Sequence, residues 1–260
     1  DDEILRDIVF RAAVGMRPIV VHGGGKRISR RLQAEGNESR FVQSLRVTDR
    51  AAIDVVEDVL AREINGHLVD VLRGYGGRAT GLSGVSGKMI RVVKRRGEDD
   101  DGTPIDWGYV GDVARINPRP LFDELMDGSI PVIAPLGVDG DGVRFNVNAD
   151  TIASEVASSL TAEKLVYITD VPGILRDKDD PSSLISSTRV TDIPALKRDG
   201  IVSGGMIPKV DACVHALHNH VHKTHIVSGR VPHSLLIEIF TDKGAGTEII
   251  PATPGEPDGD

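Results

Sequence analysis

Pro18-Ile19-Val20-Val21-His22-Gly23-Gly24-Gly25-Lys26-Arg27-Ile28-Ser29-Arg30-Arg31-Leu32 spells strand, bare turn, helix. Ile19, Val20 and Val21 are a short β-branched run, as in a buried parallel strand. Ile28 and Leu32, four apart, share one helical face. Between them three glycines remove every Cβ where a ligand would approach, and a helix start aims unpaired N–H groups outward. An anion is the expected guest; a tight βα turn without a ligand is the competing account. The spacing matches neither the dinucleotide fingerprint nor the P-loop.

The composition suits such a fold. Hydrophobic residues make up 40% of the 260 but aromatics only 3%, so Val, Ile, Leu and Ala must fill the core, as in parallel sheets. A formal net charge of −8 argues against a nucleic-acid surface, which wants a basic stripe. An anionic ligand needs a local cationic or N–H-rich pocket inside that negative field. The lone Cys213 excludes an internal disulfide and fits a reducing, cytoplasmic compartment. No apolar run approaches the ~18 residues of a membrane span, and no signal peptide is visible.

Upstream of the glycines, Ile4, Ile8 and Val9 share a helical face. Downstream, Phe41 to Val47 is extended. Thr48 or Asp49 then caps a long helix in which Ile53, Val56, Leu60, Ile64, Leu68 and Leu72 keep a 3.6-residue rhythm as far as Gly74. Ala79 to Gly84 is a small strand and turn; Ile90 to Lys94 and Trp107 to Val113 are the arms of a hairpin. Pro118, at a first helical position, opens a helix that ends near Gly128. Ile130 to Leu136 is one buried strand, and Arg144 to Asp150 an alternating strand running into a cap. Further strands are expected at Leu165 to Ile168, Thr224 to Ser228 and Thr247 to Ile250. Helices are expected through Ile152, Val156 and Leu160, through Val210, Val214 and Leu217, and over Leu235 to Phe240, with a polar loop from Arg176 to Ser187. This alternation predicts an α/β fold, a three-layer αβα sandwich around an open, mainly parallel sheet. Two lobes are expected, 1–155 and 156–250, followed by a disordered tail, 251–260.

Open α/β sheets bind ligands beyond the carboxyl ends of their strands. His22 to Gly25, Asn146 to Asp150, Thr169 to Ile174 and Ser203 to Lys209 fall there. A lysine in a first helical turn opposes the helix dipole. Lys209 is therefore either solvated or placed to meet an anion that the helix N–H groups also see. Asp150 is either an N-cap or a site acid. Arg46 is either a surface residue or a planar clamp for a carboxylate. His22 is structural rather than a base. His215, His218, His220, His222 and His225 crowd one span, but no ligand pattern completes a zinc site, so a solvated helix end is expected.

Taken together, His22-Gly23-Gly24-Gly25, Leu45-Arg46-Val47-Thr48, Gly81-Leu82-Ser83-Gly84, Asn146-Val147-Asn148-Ala149-Asp150, Thr169-Asp170-Val171-Pro172-Gly173-Ile174 and Gly204-Gly205-Met206-Ile207-Pro208-Lys209 resemble, in this order, the motifs of N-acetylglutamate kinases, which are amino acid kinases. The resemblance implies ATP- and Mg²⁺-dependent phosphorylation of the side-chain carboxylate of N-acetyl-L-glutamate, the second step of arginine biosynthesis. It implies that Lys209, Asp150 and Gly24 are catalytic. Gly24, Gly25, Arg46, Asn146 and Asn148 would hold the acyl amino acid in the first lobe, which would also form a dimer. Thr169, Asp170, Val171, Gly173, Ile174, Ser203 and Gly204 would line the ATP site of the second. No protein-held metal is implied, since phosphates and water would carry the Mg²⁺. A carboxylate is already ionised at neutral pH, so positioning and cationic or N–H stabilisation supply the catalysis without a general base.

The family also has a Lys-x-Gly-Gly turn after its first strand, and neither is found in this chain. Weak or absent activity is the resulting expectation. The alternatives are a relative acting on another carboxylate, of the aminoadipate type, and a non-catalytic regulatory homologue. His233-Ser234-Leu235-Leu236 and Gly244-Ala245-Gly246-Thr247 resemble arginine-inhibited members, although Lys243 stands where an acidic residue is usual. Arginine as effector, a homodimer or hexamer of dimers, and a PII-type signalling partner are implied with it; nucleic acid and membrane are not.

Overall fold

A computed structural model describes residues 2–99, 101–241 and 244–252, which form an α/β fold with parallel strand segments. The chain divides into two compact units, Val9–Ile152 and Asp1–Ile8 with Ala153–Asp260. Lys243 and most of the expected tail, 253–260, lie outside the described residues.

Helix α1 (Asp2–Ala13) precedes β1 (Val20–Val21), α2 (Gly25–Ala34) and a hairpin of β2 (Phe41–Val42) and β3 (Leu45–Arg46). Then come α3 (Arg50–Glu57), a π-helical segment (Asp58–Ile64), α4 (Asn65–Gly74), β4 (Ala79–Ser83), β5 (Ile90–Lys94), β6 (Gly97–Glu98), β7 (Pro104–Ile105) and β8 (Gly111–Ile116). Helix α5 (Arg119–Met126), β9 (Ile130–Ala134), β10 (Leu136–Val138), β11 (Arg144–Asn146) and α6 (Ala149–Ser159) follow. β9 lies between β1 and β4 and is parallel to both, with Val20 opposite Val132 and Ser83 opposite Ala134. Its residues are buried throughout, as a central parallel strand requires. A second sheet runs β11-β10-β5-β8. Ile28 and Leu32 of α2 enter a core with Ala52, Val56, Val59, Leu60, Ala134 and Leu136.

Several expectations are corrected. The helix from Arg50 to Gly74 is not α-helical throughout. The wider π turn absorbs a residue, so the buried face shifts from the expected Ile64 and Leu68 to Asn65 and Val69. The second arm of the hairpin is Gly111–Ile116. Trp107 lies ahead of it, buried, with Nε1 donating to the Val42 carbonyl at 3.1 Å. Pro118 is the N-cap of α5 and Pro120 the proline of its first turn. The strand expected over Ile130 to Leu136 breaks between β9 and β10 at Pro135, which has no N–H to give a ladder. Asp150 is not the cap of α6: the Asn148 side chain accepts from the Thr151 amide at 3.0 Å, and Asp150 stands in the first turn.

The other unit holds β12 (Lys164–Thr169), β13 (Ser187–Arg189), α7 (Ile193–Arg198), α8 (Met206–His218), β14 (Lys223–Ser228), α9 (Ser234–Phe240) and β15 (Thr247–Ile250). Its sheet runs β12-β14-β15-β13, with β12 and β14 parallel from Lys164 opposite Lys223 to Thr169 opposite Ser228. Tyr167, Ile174, Val210, Cys213, Leu217, Ile226 and Ile249 meet in its core.

Glu238 of α9 is buried and works as a clamp. One carboxylate oxygen accepts from His225 Nδ1 at 2.7 Å, and the other from the amides of Ala245 at 2.6 Å and Gly246 at 2.9 Å. Burial pushes its pKa up, but these donors together outweigh burial and hold it below the usual carboxylate value. A depressed folded pKa contributes stability that is present at neutral pH and is lost as pH falls from about 4.5 through the folded value. Thermal melts between about pH 3 and 7 check this. Glu238→Gln should lower the Tm at neutral pH and flatten its decline in acid, and an acid limb as steep as the parent's would contradict the clamp.

Candidate active site

The two glycine-rich junctions belong to different units. In Val9–Ile152, β1 delivers the chain to His22, and Gly23, Gly24 and Gly25 lead into α2. The glycines differ in what they do. A Cβ on Gly24 would lie 2.6 Å from Leu60 Cδ2 and 2.7 Å from Ile64 Cδ1, so this glycine lets the π turn press against the loop. A Cβ on Gly25 would meet nothing within 4 Å, so no packing demand explains a glycine there. The Gly24 N–H has no acceptor among the described residues.

Arg46, at the end of β3, is 6% exposed. Its guanidinium donates to the Gly25 carbonyl at 2.8 Å, to Ser29 Oγ at 2.8 Å and to Ser39 Oγ, and its Cζ stands 4.7 Å above the Phe41 ring. All of these acceptors are neutral, and among the described residues no carboxylate pairs with it. Burial lowers its pKa from the ordinary arginine value. A buried cation without a counter-ion is costly, and an incoming carboxylate would offset that cost. Asn146, the last residue of β11, donates from Nδ2 to Thr48 Oγ1 at 3.3 Å. Arg46, Gly25, Asn146 and Asn148 thus fall in one unit, with Asn148 spending its oxygen on the cap of α6.

In the unit containing Ala153–Asp260, Gly205 caps α8, and Lys209 stands in that helix's first turn. Lys209 Nζ lies 5.6 Å from the ring centroid of Tyr167 on β12. Cβ atoms on Gly204 and Gly205 would again meet nothing within 4 Å, leaving bare backbone at the helix start. Gly204 has a φ of +53°, a left-handed conformation that glycine adopts without the strain a side chain would bring, whereas Gly205 has an ordinary φ of −66°. Ser203 and Asp170 are exposed; Asp170 Oδ2 lies 3.7 Å from Arg230 Nη2, and the Thr169 carbonyl accepts from the Gly229 amide at 2.8 Å. Val171 is 37% exposed. Gly173 and Ile174 are tied to the core instead. A Cβ on Gly173 would sit 2.5 Å from Thr247 Oγ1, and Ile174 is 1% exposed with its amide donating to that hydroxyl at 2.8 Å.

The histidines are dispersed. His225 bonds Glu238, while His215 and His222 face Glu155 at 2.9 Å and Glu163 at 2.8 Å. No group of three or more His, Cys, Asp or Glu side chains able to hold a metal stands among the described residues. Asn65 is the residue that periodicity missed. It lies one place off the apolar rhythm, where a polar side chain is ordinary, and the π turn is what carries it into the core.

A glycine turn between a parallel strand and a helix start, as at Gly23 to Gly25, belongs to a class of α/β proteins that receive anionic ligands there. The sequence profile of the Amino acid kinase family matches residues 2–228, and the chain belongs to that family. The acetylglutamate kinase of Heliobacterium modesticaldum is 51% identical over 254 residues, covering 96% of this chain and 86% of that protein. The acetylglutamate kinase of Moorella thermoacetica is 47% identical over 251 residues, covering 95% and 85%. Among solved structures, N-acetylglutamate synthase from Neisseria gonorrhoeae, complexed with coenzyme A and N-acetyl-glutamate, aligns with a TM-score of 0.81 at 27% identity, covering 97% of this chain and 56% of that one.

Proposed function

We propose that the protein transfers the γ-phosphoryl group of ATP to the side-chain carboxylate of N-acetyl-L-glutamate, giving N-acetyl-L-glutamyl 5-phosphate, the second step of arginine biosynthesis. The observation that carries this reading is the 51% identity to an acetylglutamate kinase across 96% of the chain. The geometry of Arg46 supports it, since a buried guanidinium with neutral partners suits a carboxylate guest. Arg46 and Asn146 hold the acyl amino acid in this reading, with Asn148 and the Gly25 amide beside them. The Gly24 amide and Lys209 take up charge on the transferring phosphoryl, and Asp150 orients the catalytic lysine. Thr169 to Ile174 and Ser203-Gly204 receive the nucleotide, and the open space at Gly204 and Gly205 fits phosphate oxygens. Mg²⁺ enters with the nucleotide, held by phosphates and water, and neutralises phosphate charge when bound.

The same reading places the protein in the cytoplasm, and no helix among the described residues is long and apolar enough to cross a membrane. It extends to a homodimer or a hexamer of dimers, to arginine as effector and to a PII-type signalling partner. A coupled assay of ATP consumption with N-acetylglutamate, glutamate and aminoadipate tests the substrate. N-acetylglutamate should be strongly preferred, and a preference for either of the others would overturn the assignment.

The two neighbouring glycines give a sharper check. Gly25→Ala should leave the Tm unchanged or raise it, because a helix start with open space tolerates a methyl group. Its KM for N-acetylglutamate should nevertheless rise. Gly24→Ala should lower the Tm by a few degrees, overpacking of this kind costing about 1–3 kcal/mol. The opposite order of thermal effects would contradict the loop's geometry.

A further inference from the structure

The Gly24 amide is useful only if it points at the ligand, and the structure shows what aims it. Asn65 opens α4 just after the π turn and is 4% exposed. Its Nδ2 donates to the Val132 carbonyl of β9 at 2.8 Å and reaches His22 Nε2 at 3.2 Å. Its Oδ1 faces Gly81, where a Cβ would sit 2.2 Å from it. A flipped amide would set two oxygens, Oδ1 and the Val132 carbonyl, against each other, so Nδ2 is the atom facing His22. His22 Nε2 must then accept, which leaves the proton on Nδ1. Nδ1 lies 3.0 Å from the Gly23 carbonyl oxygen and donates to it. Burial holds the His22 pKa below its ordinary value, so the ring stays neutral with one donor and one acceptor.

The peptide between Gly23 and Gly24 is trans, and a planar trans peptide sets its N–H opposite its C=O. Holding the Gly23 carbonyl therefore fixes the direction of the Gly24 N–H. Two flanking glycines give this peptide plane nothing else to stop it turning. We infer that Asn65 and His22 form a positioning relay: Asn65 sets the imidazole tautomer, His22 pins the Gly23 carbonyl, and the Gly24 N–H is thereby aimed at the transferring phosphoryl. The π turn belongs to the device. Without its extra residue, the apolar rhythm would turn Ile64 and Leu68 to the buried face in place of Asn65 and Val69. The role of the Gly24 amide rests on the proposed kinase reading; the relay itself does not.

The tautomer is tested first, on the unliganded protein, by ¹⁵N–¹³C correlation spectra of the histidine ring. His22 should be the neutral Nδ1–H form at neutral pH, and the Nε2–H form would overturn the relay whatever the substrate proves to be. Kinetics follow. Asn65→Leu, checked for folding by its melt, should lower kcat about 10²-fold, the effect of a misplacement of about 1 Å. Its KM for ATP should stay within about twofold. His22→Asn places an amide nitrogen near the position of Nδ1 and should retain most of kcat. His22→Gln mimics Nε2 and should lose it. Equal kcat values for His22→Asn and His22→Gln, or a folded Asn65→Leu protein with parental kcat, would overturn the relay while leaving the kinase reading intact. Preferential turnover of another carboxylate by the parent would sink that reading and leave the tautomer result standing.

Discussion

Replacing Lys209 by methionine is expected to lower kcat about 10³-fold, the scale on which cationic and N–H donors stabilise a transferring phosphoryl group. The KM for N-acetylglutamate should change little, because the charge is needed where negative oxygens gather in the transition state. Stability should hold. A lysine in the first turn of α8 works against the helix dipole, an effect of about 0.3–1 kcal/mol at most exposed sites. Its side chain lies beside the face of Tyr167, which methionine can also cover. A melt and a far-ultraviolet spectrum distinguish loss of chemistry from loss of fold. A Lys209→Met protein with kcat within about tenfold of the parent would remove Lys209 from the mechanism.

The second large effect is expected at Arg46, with the opposite kinetic signature. Arg46→Lys keeps the charge but loses the planar fork that reaches Gly25, Ser29 and Ser39. Hydrogen bonds to charged groups are worth about 1.5–3 kcal/mol, so the KM for N-acetylglutamate should rise about 10- to 100-fold. The KM for ATP should stay within about twofold. Equal rises in both KM values would mean that the substitution had damaged the loop as a whole. An unchanged KM for N-acetylglutamate would mean that the buried guanidinium meets no carboxylate guest.

Much of the fold was legible because its signals are local. The β-branched run before the glycines became β1, with α2 directly after them, and Asp49 caps α3 by accepting from the Ala52 amide at 2.8 Å. The π turn was not legible. It shifts the buried face by one residue, and apolar side chains are available both on and off the 3.6-residue rhythm, so the pattern fits either helix. The break at Pro135 was not readable, since Pro131 in the same run stays inside β9 and the two prolines look alike in sequence. Helix α7 and strand β13 escaped because each is short and neither carries strong periodicity.

The site was legible in its parts and less so in their states. The sequence left Arg46 open between a surface residue and a clamp; its burial comes from the β2–β3 hairpin and α2, whose contact no local pattern reveals. Asp150 looked like a cap because it sits at a helix start, yet Asn148, two residues earlier, takes that duty. Gly24 and Gly25 look alike in sequence. Only the positions of Leu60 and Ile64 separate a glycine kept for packing from one kept for open space.

An acyl phosphate reacts with hydroxylamine to give a hydroxamate, which offers the most direct test of the central claim. The full chain, incubated with MgATP, N-acetylglutamate and hydroxylamine, should form hydroxamate in step with ADP, and neither should form without N-acetylglutamate. ADP released without hydroxamate, or hydroxamate formed equally well without N-acetylglutamate, would contradict the account.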